Sequence, residues 1–176
     1  MKNDRKKILI ALDYNPTAQK VAEAGYSMGK AMHADIILLH VISDSQYYAS
    51  TDYSPIMGFS GYAEAGLTEL NSADLKKASH LFLDKTKNHL NDTTLKTLIS
   101  EGDFAEAIVK TAEEQHVDII VLGSHSRRWL EEIVLGSVTK EVLRHSKVPL
   151  FIVPTNQKKT KPFLIGLSAN ESIPSN

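Results

Sequence analysis

The 176-residue sequence contains no cysteine, which removes together a disulfide framework, a zinc knuckle, an iron–sulfur cluster and a thiol nucleophile. It also lacks an excess of either charge, with 20 Lys plus Arg against 21 Asp plus Glu and a formal net charge of -1. A dedicated duplex-binding protein carries a basic surplus to neutralise phosphates, so nucleic acid is not expected as a partner. Long hydrophobic runs are missing too. Lys2, Arg5, Lys6 and Lys7 open the chain as the basic segment of a secretory leader would, but the apolar run from Ile8 stops at Asp13. That is too short for a signal-peptide core, and nothing later approaches the roughly 18 apolar residues of a membrane span. A cytoplasmic protein without membrane contact is expected. The seven histidines, at 33, 40, 80, 89, 116, 125 and 145, include no H-E-x-x-H or comparable spacing, so no metal site is expected. What is present, 42% apolar and 23% charged residues, is the composition of one globular domain with a core of ordinary size.

The order of elements is legible from periodicity. Lys7-Ile-Leu-Ile-Ala-Leu-Asp13 and Ile36-Ile-Leu-Leu-His-Val-Ile42 are continuous apolar runs without alternation, the mark of strands covered on both faces in a parallel sheet. Between them Asn15 as N-cap and Pro16 in the first turn predict a helix. Val21, Ala24, Gly25, Met28 and Met32 form its apolar face, and it runs to about His33. A helix over about 72–90 follows, with Leu75, Ala78, Phe82 and Leu83 inward, then a short strand at 95–99. Asp103 with Glu106 three residues on opens a further helix, which His116 ends. Asp118 to Gly123 is the fourth strand, Ser137 to His145 a short helix and Val148 to Pro154 the fifth strand. Alternation of this kind predicts an α/β fold: a single doubly wound, five-stranded parallel sheet with helices on both faces, Rossmann-like, in strand order 3-2-1-4-5. The domain is expected over residues 1–154, and 155–176 read as a polar tail without an assigned role. Residues 43–62 show no period and hold five aromatics, Tyr47, Tyr48, Tyr53, Phe59 and Tyr62, in a loop longer than compact domains usually tolerate.

Ligands of open α/β sheets sit beyond the carboxyl ends of the strands, where strand order reverses. The residues to weigh are therefore Asp13, Val41 to Asp44, Glu101 to Asp103, and Gly123 onward. The last group stands apart. Gly123-Ser-His-Ser-Arg-Arg128 leaves a strand with small and basic residues, and Leu135-Gly-Ser-Val-Thr139 opens a helix. Unpaired N–H groups at a helix start, with glycine allowing close approach, suit a phosphate, and Arg127, Arg128 and Lys140 add compensating charge. Either glycine taken singly is as well explained by a turn. Asp13 fits a ribose hydroxyl or a metal, and equally a simple turn cap. Gly25-Tyr-Ser-Met-Gly-Lys30 is one residue short of a P-loop and lacks its Ser or Thr; it lies on a helix with a packing role. His40 reads as a hydrogen-bonded core residue, while His125 falls inside the expected phosphate loop.

The stretch Gly123, two residues, Ser126, nine residues, Gly136-Ser137 resembles G-x2-G-x9-G-[ST], the motif of the nucleotide-binding branch of the universal stress proteins. The resemblance extends to Ala11-Leu-Asp13, Leu38-Leu-His-Val41 and Glu141-Val-Leu-Arg-His145 before Val148-Pro149, and covers about residues 5–154. It implies an ATP-binding, stress-response regulatory protein that acts as a homodimeric switch, with Mg2+ as an optional companion of the nucleotide. Asp13 would meet the ribose or adenosine end and the main chain of Val41 the adenine edge. Gly123, Ser126, Arg127, Gly136, Ser137, Val138 and Thr139 would line the phosphates. Antiparallel pairing of Val148 to Val153 between two copies would make the dimer and hide an exposed sheet edge. The departure is Ser126 in place of the motif's second glycine. If that position requires a left-handed backbone, a Cβ costs roughly 1–2 kcal/mol; otherwise the hydroxyl adds a phosphate donor.

Hydrolysis is expected to be slow or absent, since no acid or base is placed to activate water. A phosphotransfer receiver would need an acidic pair after the first strand, an aspartate after the third and a lysine after the fifth, and none is there. An ATP-dependent ligase would carry a phosphate motif in the first loop, which reads Asp13-Tyr-Asn-Pro-Thr17 instead. The remaining alternative is a dimeric scaffold of the same fold that binds no nucleotide; Leu135-Gly-Ser137 argues against it and Ser126 for it.

Overall fold

The computed structural model describes residues 5–14, 17–43, 72–124 and 135–155. Five strands, β1 (Lys7–Leu12), β2 (Asp35–Ile42), β3 (Lys96–Glu101), β4 (Ile119–Gly123) and β5 (Leu150–Val153), form one sheet in the order β3-β2-β1-β4-β5. Every pairing is parallel. The helices are α1 (Ala18–Ala31), α2 (Ser72–His89), α3 (Phe104–Gln115) and α4 (Ser137–His145). Both the doubly wound architecture and its strand order are those the sequence predicts.

Alternation along the central strands sorts the core into two layers. Ile8, Ile10 and Leu12 of β1 point with Ile36 and Leu38 of β2 toward Val21 and Ala22 of α1 and Leu83 of α2. Leu9, Ile37, Leu39 and Val41 point to the opposite face, against Ile108 and Ala112 of α3 and Val142 of α4. Both faces of β1 and β2 are therefore dry, and this explains why their sequences are continuously apolar. Helix α1 crosses the sheet closely. A Cβ on Gly25 would lie 2.7 Å from Ile10 Cδ1, and one on Gly29 would lie 2.5 Å from Ile36 Cδ1, so the P-loop-like segment is a packing surface.

Element ends depart from expectation in small ways. Thr17 occupies the N-cap of α1 and makes no side-chain capping bond; Asn15 and Pro16, expected to open the helix, lie outside the described residues. Strand β3 runs to Glu101 because its register is set by β2, with Val41 opposite Ser100 and Ile42 opposite Glu101. Asp103 caps α3, its carboxylate accepting from the N–H groups of Ala105 and Glu106, both at 3.0 Å. Three helices end alike, on a non-glycine residue of positive φ: His33 at 51°, Asn91 at 52° and His116 at 53°. In each case the following N–H reaches back to close a Schellman turn, Ala34 to Gly29, Asp92 to Lys87 and Val117 to Ala112. No described helix is long and apolar enough to cross a membrane.

Candidate functional site

Since all strands are parallel, their carboxyl ends share one edge, and the chain's order reverses between β1 and β4. Leu12 stands opposite His40, which sets the next residues, Asp13 and Val41, side by side. Ile10 stands opposite Val121, so Asp13 and Ser124 lie equally far past that last paired rung. Asp13 is exposed, whereas the Val41 side chain is buried on the α3 face. Asp13 and Val41, which sequence reasoning singles out separately, thus lie on neighbouring strands beside the switch point, with the Gly123 end of β4 on the other side of β1.

The two ends of the Gly-rich motif are joined directly. The Gly136 N–H donates to the Ser124 carbonyl at 3.3 Å, and the Thr139 hydroxyl donates to the Gly123 carbonyl at 2.9 Å. Gly136 is the N-cap of α4 with φ -60° and ψ 160°, and among the described residues no side chain caps the helix. The first intrahelical bond runs from the Lys140 N–H to the Gly136 carbonyl at 3.0 Å. This leaves the N–H groups of Ser137, Val138 and Thr139 outside the helical ladder, aligned with the positive end of the helix dipole. Thr139 is buried and its hydroxyl is committed to Gly123, so its contribution to an anion would be its main-chain N–H. Ser126 and Arg127, with Arg128 and His125, lie outside the described residues, as does the aromatic segment beyond Ser43.

Two residues that sequence reasoning passed over belong to this edge. Ser124 is 1% exposed and donates its N–H to the Val153 carbonyl at 2.8 Å. Its hydroxyl oxygen accepts from the Thr155 N–H at 3.1 Å, tying the end of β4 to the exit of β5. Its position directly after Gly123 was the available signal. Tyr14 follows Asp13 and lays its ring 4.2 Å from that of His40 and 5.1 Å from that of Phe82.

His40 is a hydrogen-bonded core residue, as expected, and more. Its Nδ1 lies 2.8 Å from the Leu12 carbonyl. A carbonyl only accepts, so Nδ1 carries the proton and Nε2 the lone pair. Burial pushes the imidazole down to about 4, against a smaller upward pull from the Leu12 bond; the ring is neutral at pH 7. Among the described residues Nε2 has no hydrogen-bond partner.

A doubly wound, five-stranded parallel sheet with helices on both faces defines the class, an open α/β domain. Comparison with known proteins narrows that class. The model of the universal stress protein family matches residues 4–154, and the chain belongs to that family. It is 33% identical over 153 residues to universal stress protein MJ0577 of Methanocaldococcus jannaschii, a match covering 84% of this chain and 94% of that one. The solved MJ0577 structure superposes with a TM-score of 0.60 at 31% identity, covering 86% of this chain and 96% of that one. The fold also matches a universal stress protein solved in complex with cAMP, at TM-score 0.54, 18% identity and coverages of 86% and 98%. It likewise matches one from Archaeoglobus fulgidus in complex with dAMP, at TM-score 0.54, 12% identity and coverages of 84% and 96%.

Proposed function

We propose that this chain binds an adenine nucleotide, ATP in its working state, at the carboxyl edge of the sheet, and acts in the cytoplasm as a homodimeric stress-response switch with slow or no hydrolysis. The observation that carries this reading is the placement, along one edge of the sheet beside its switch point, of exposed Asp13, Val41 near the end of β2 and an α4 start whose N–H groups no side chain caps among the described residues. Gly136 bears no Cβ where a phosphate would approach Ser137, Val138 and Thr139, and this fits an anion better than a solvent-facing cap, for which Ser, Thr or Asp is the usual choice. The cAMP and dAMP complexes of fold relatives are in keeping with an adenine nucleotide as the ligand. In this reading Gly123, Ser126 and Arg127 complete the phosphate contacts, and Mg2+ accompanies the nucleotide where present. Dimerisation would pair β5 with its copy. Among the described residues β5 bonds within the sheet only to β4, and its Phe151 is 40% exposed, as an edge awaiting a partner would be.

Ser126, in place of the motif glycine, favours a second reading, a scaffold of the same fold without nucleotide. The two separate in one experiment. Freshly purified protein is denatured and filtered, and the released small molecules are run on ion exchange with mass detection. The nucleotide reading expects ATP or ADP near one per chain, or saturable calorimetric heat with millimolar ATP and Mg2+. An empty protein without such heat moves the assignment to the scaffold. Gly136→Asp, which adds bulk and negative charge where phosphate would sit, should abolish binding while leaving circular dichroism unchanged; retained affinity would sink the site.

A further inference from the structure

The His40 ring is buried, lies off the phosphate side of the site and leaves one nitrogen without a partner among the described residues. A leucine would fill such a place without burying an unpaired acceptor, so the reason for an imidazole must lie in the bond it makes. That bond goes to the Leu12 carbonyl, the last of β1 before Asp13. On the other side of Asp13, the Tyr14 ring packs against His40 at 4.2 Å with the ring planes tilted by 49°, and lies edge-on to Phe82 of α2 at 5.1 Å, while Phe82 also meets His40 at 5.4 Å. The Ser79 hydroxyl is spent on the Leu75 carbonyl at 2.8 Å, so across the 2.9 Å Tyr14–Ser79 contact the phenol is the donor. Both neighbours of Asp13 are therefore held, the residue before it through its carbonyl and the residue after it through its ring and hydroxyl. His40 takes part in both contacts.

We propose that His40 is a positioning residue: with Tyr14 it fixes the Leu12–Tyr14 segment so that the Asp13 carboxylate meets the sugar hydroxyls of a bound nucleotide, making this cluster the determinant of ribose over deoxyribose. The inference rests on the nucleotide reading above and adds the residues that set sugar specificity. It separates their effects from those of the α4 start, which concern phosphate alone. A carboxylate pairs with a ribose diol only if aimed within hydrogen-bond range, and a loss of about 1 Å in placement removes most of that bond's value.

The test is calorimetric affinity for ATP, 2′-deoxy-ATP and 3′-deoxy-ATP with Mg2+, measured on the wild-type full chain and on His40→Leu, His40→Asn and Tyr14→Phe. The wild-type protein should prefer ATP over at least one deoxy analogue about tenfold, the worth of one charge-assisted bond. In His40→Leu that ratio should fall toward one, through weaker ATP binding with the deoxy analogues little changed. His40→Asn, which keeps an N–H near the Nδ1 position, should recover most of the ratio. Tyr14→Phe, which keeps the ring and removes only the phenol, should lower the ratio by about two- to threefold and supplies the readout should His40→Leu fail to fold. A structural role alone would weaken all three ligands together and leave the ratio unmoved. Wild-type protein that binds ATP and both deoxy analogues equally, or variants that keep the wild-type ratio, overturns this inference while the nucleotide site stands. Wild-type protein that binds none of the three overturns both.

Discussion

Lowering the pH from 7.5 to 5 should destabilise the fold through His40 in particular. The imidazole titrates at 6.5 in an ordinary setting and at about 4 in the fold, with burial as the main cause. A group whose folded pKa is depressed in this way takes up its proton first in the unfolded chain. Its contribution is thus whole above about pH 6.5, declines as pH falls through the window down to about 4, and declines no further below it. With 1.36 kcal/mol per pH unit of difference, the loss amounts to about 2 kcal/mol at pH 5 and levels off near 3 kcal/mol. The assay is urea unfolding of the wild-type protein and of His40→Leu, in which position 40 no longer titrates in either state. Carboxylates held below their usual range, Glu23 by Gln19 and His89, Asp92 by Thr94 and Tyr26, and Asp118 by Lys6 and Lys7, are common to both proteins and cancel in the difference, as do the other histidines. The wild-type advantage over the variant should shrink by about 2 kcal/mol between pH 7.5 and 5. A difference constant to within about 0.5 kcal/mol over that range would show that the ring is not buried neutral, and the tautomer assignment would fall with it.

Two further predictions concern the framework. Gly29→Ala gains about 1 kcal/mol of helix propensity but places a methyl 2.5 and 2.6 Å from two carbons of Ile36, itself 7% exposed. Overpacking of about 1–3 kcal/mol should win, and thermal unfolding of Gly29→Ala, Ile36→Ala and the double variant should show a favourable coupling of about 1 kcal/mol. Asp103→Ala removes the acceptor for two N–H groups at the start of α3 and should cost about 1 kcal/mol in chemical denaturation; an unchanged midpoint would mean that solvent caps this helix equally well.

The sheet was legible because its central strands are dry on both faces. β1 and β2 take their register from runs such as Ile8 to Leu12 and Ile36 to Ile42 that no helix period fits. Edge strands were read less well for a physical reason. In β3 the residues Ser100 and Glu101 join the ladder opposite Val41 and Ile42, so polar side chains belong to a strand whose pairing is dictated by its neighbour. The start of α1 was placed at Asn15 on capping preference, but the cap is Thr17 without a side-chain bond; packing of Val21, Ala22 and Gly25 on the sheet outweighs the local preference. Asp13, Val41, Gly123 and Gly136 were all singled out from their positions after strands or before a helix. His40 reads from sequence only as a core residue and Tyr14 carries no signal, because a bond between a strand's imidazole and a neighbouring strand's carbonyl follows only from the Leu12–His40 register.

That register also bears on how the proposed nucleotide site would be at once specific and preassembled. In the proposed reading Asp13 serves the sugar and helix α4 the phosphates; they come from opposite ends of the sequence, and their separation is fixed by β1 pairing with β4 over Ile8 to Ile10. The phosphate side is pinned by the Gly136 N–H on the Ser124 carbonyl and by Thr139 on Gly123. The sugar side is pinned by His40 on Leu12 and by Tyr14 on Ser79. Each half is held by polar bonds to main-chain or buried groups of a different core layer, one against α4 and the other against α2. Perturbing one half should therefore leave the other in place, so Gly136→Asp and His40→Leu are expected to report on phosphate and sugar separately, as distant sites without shared partners do.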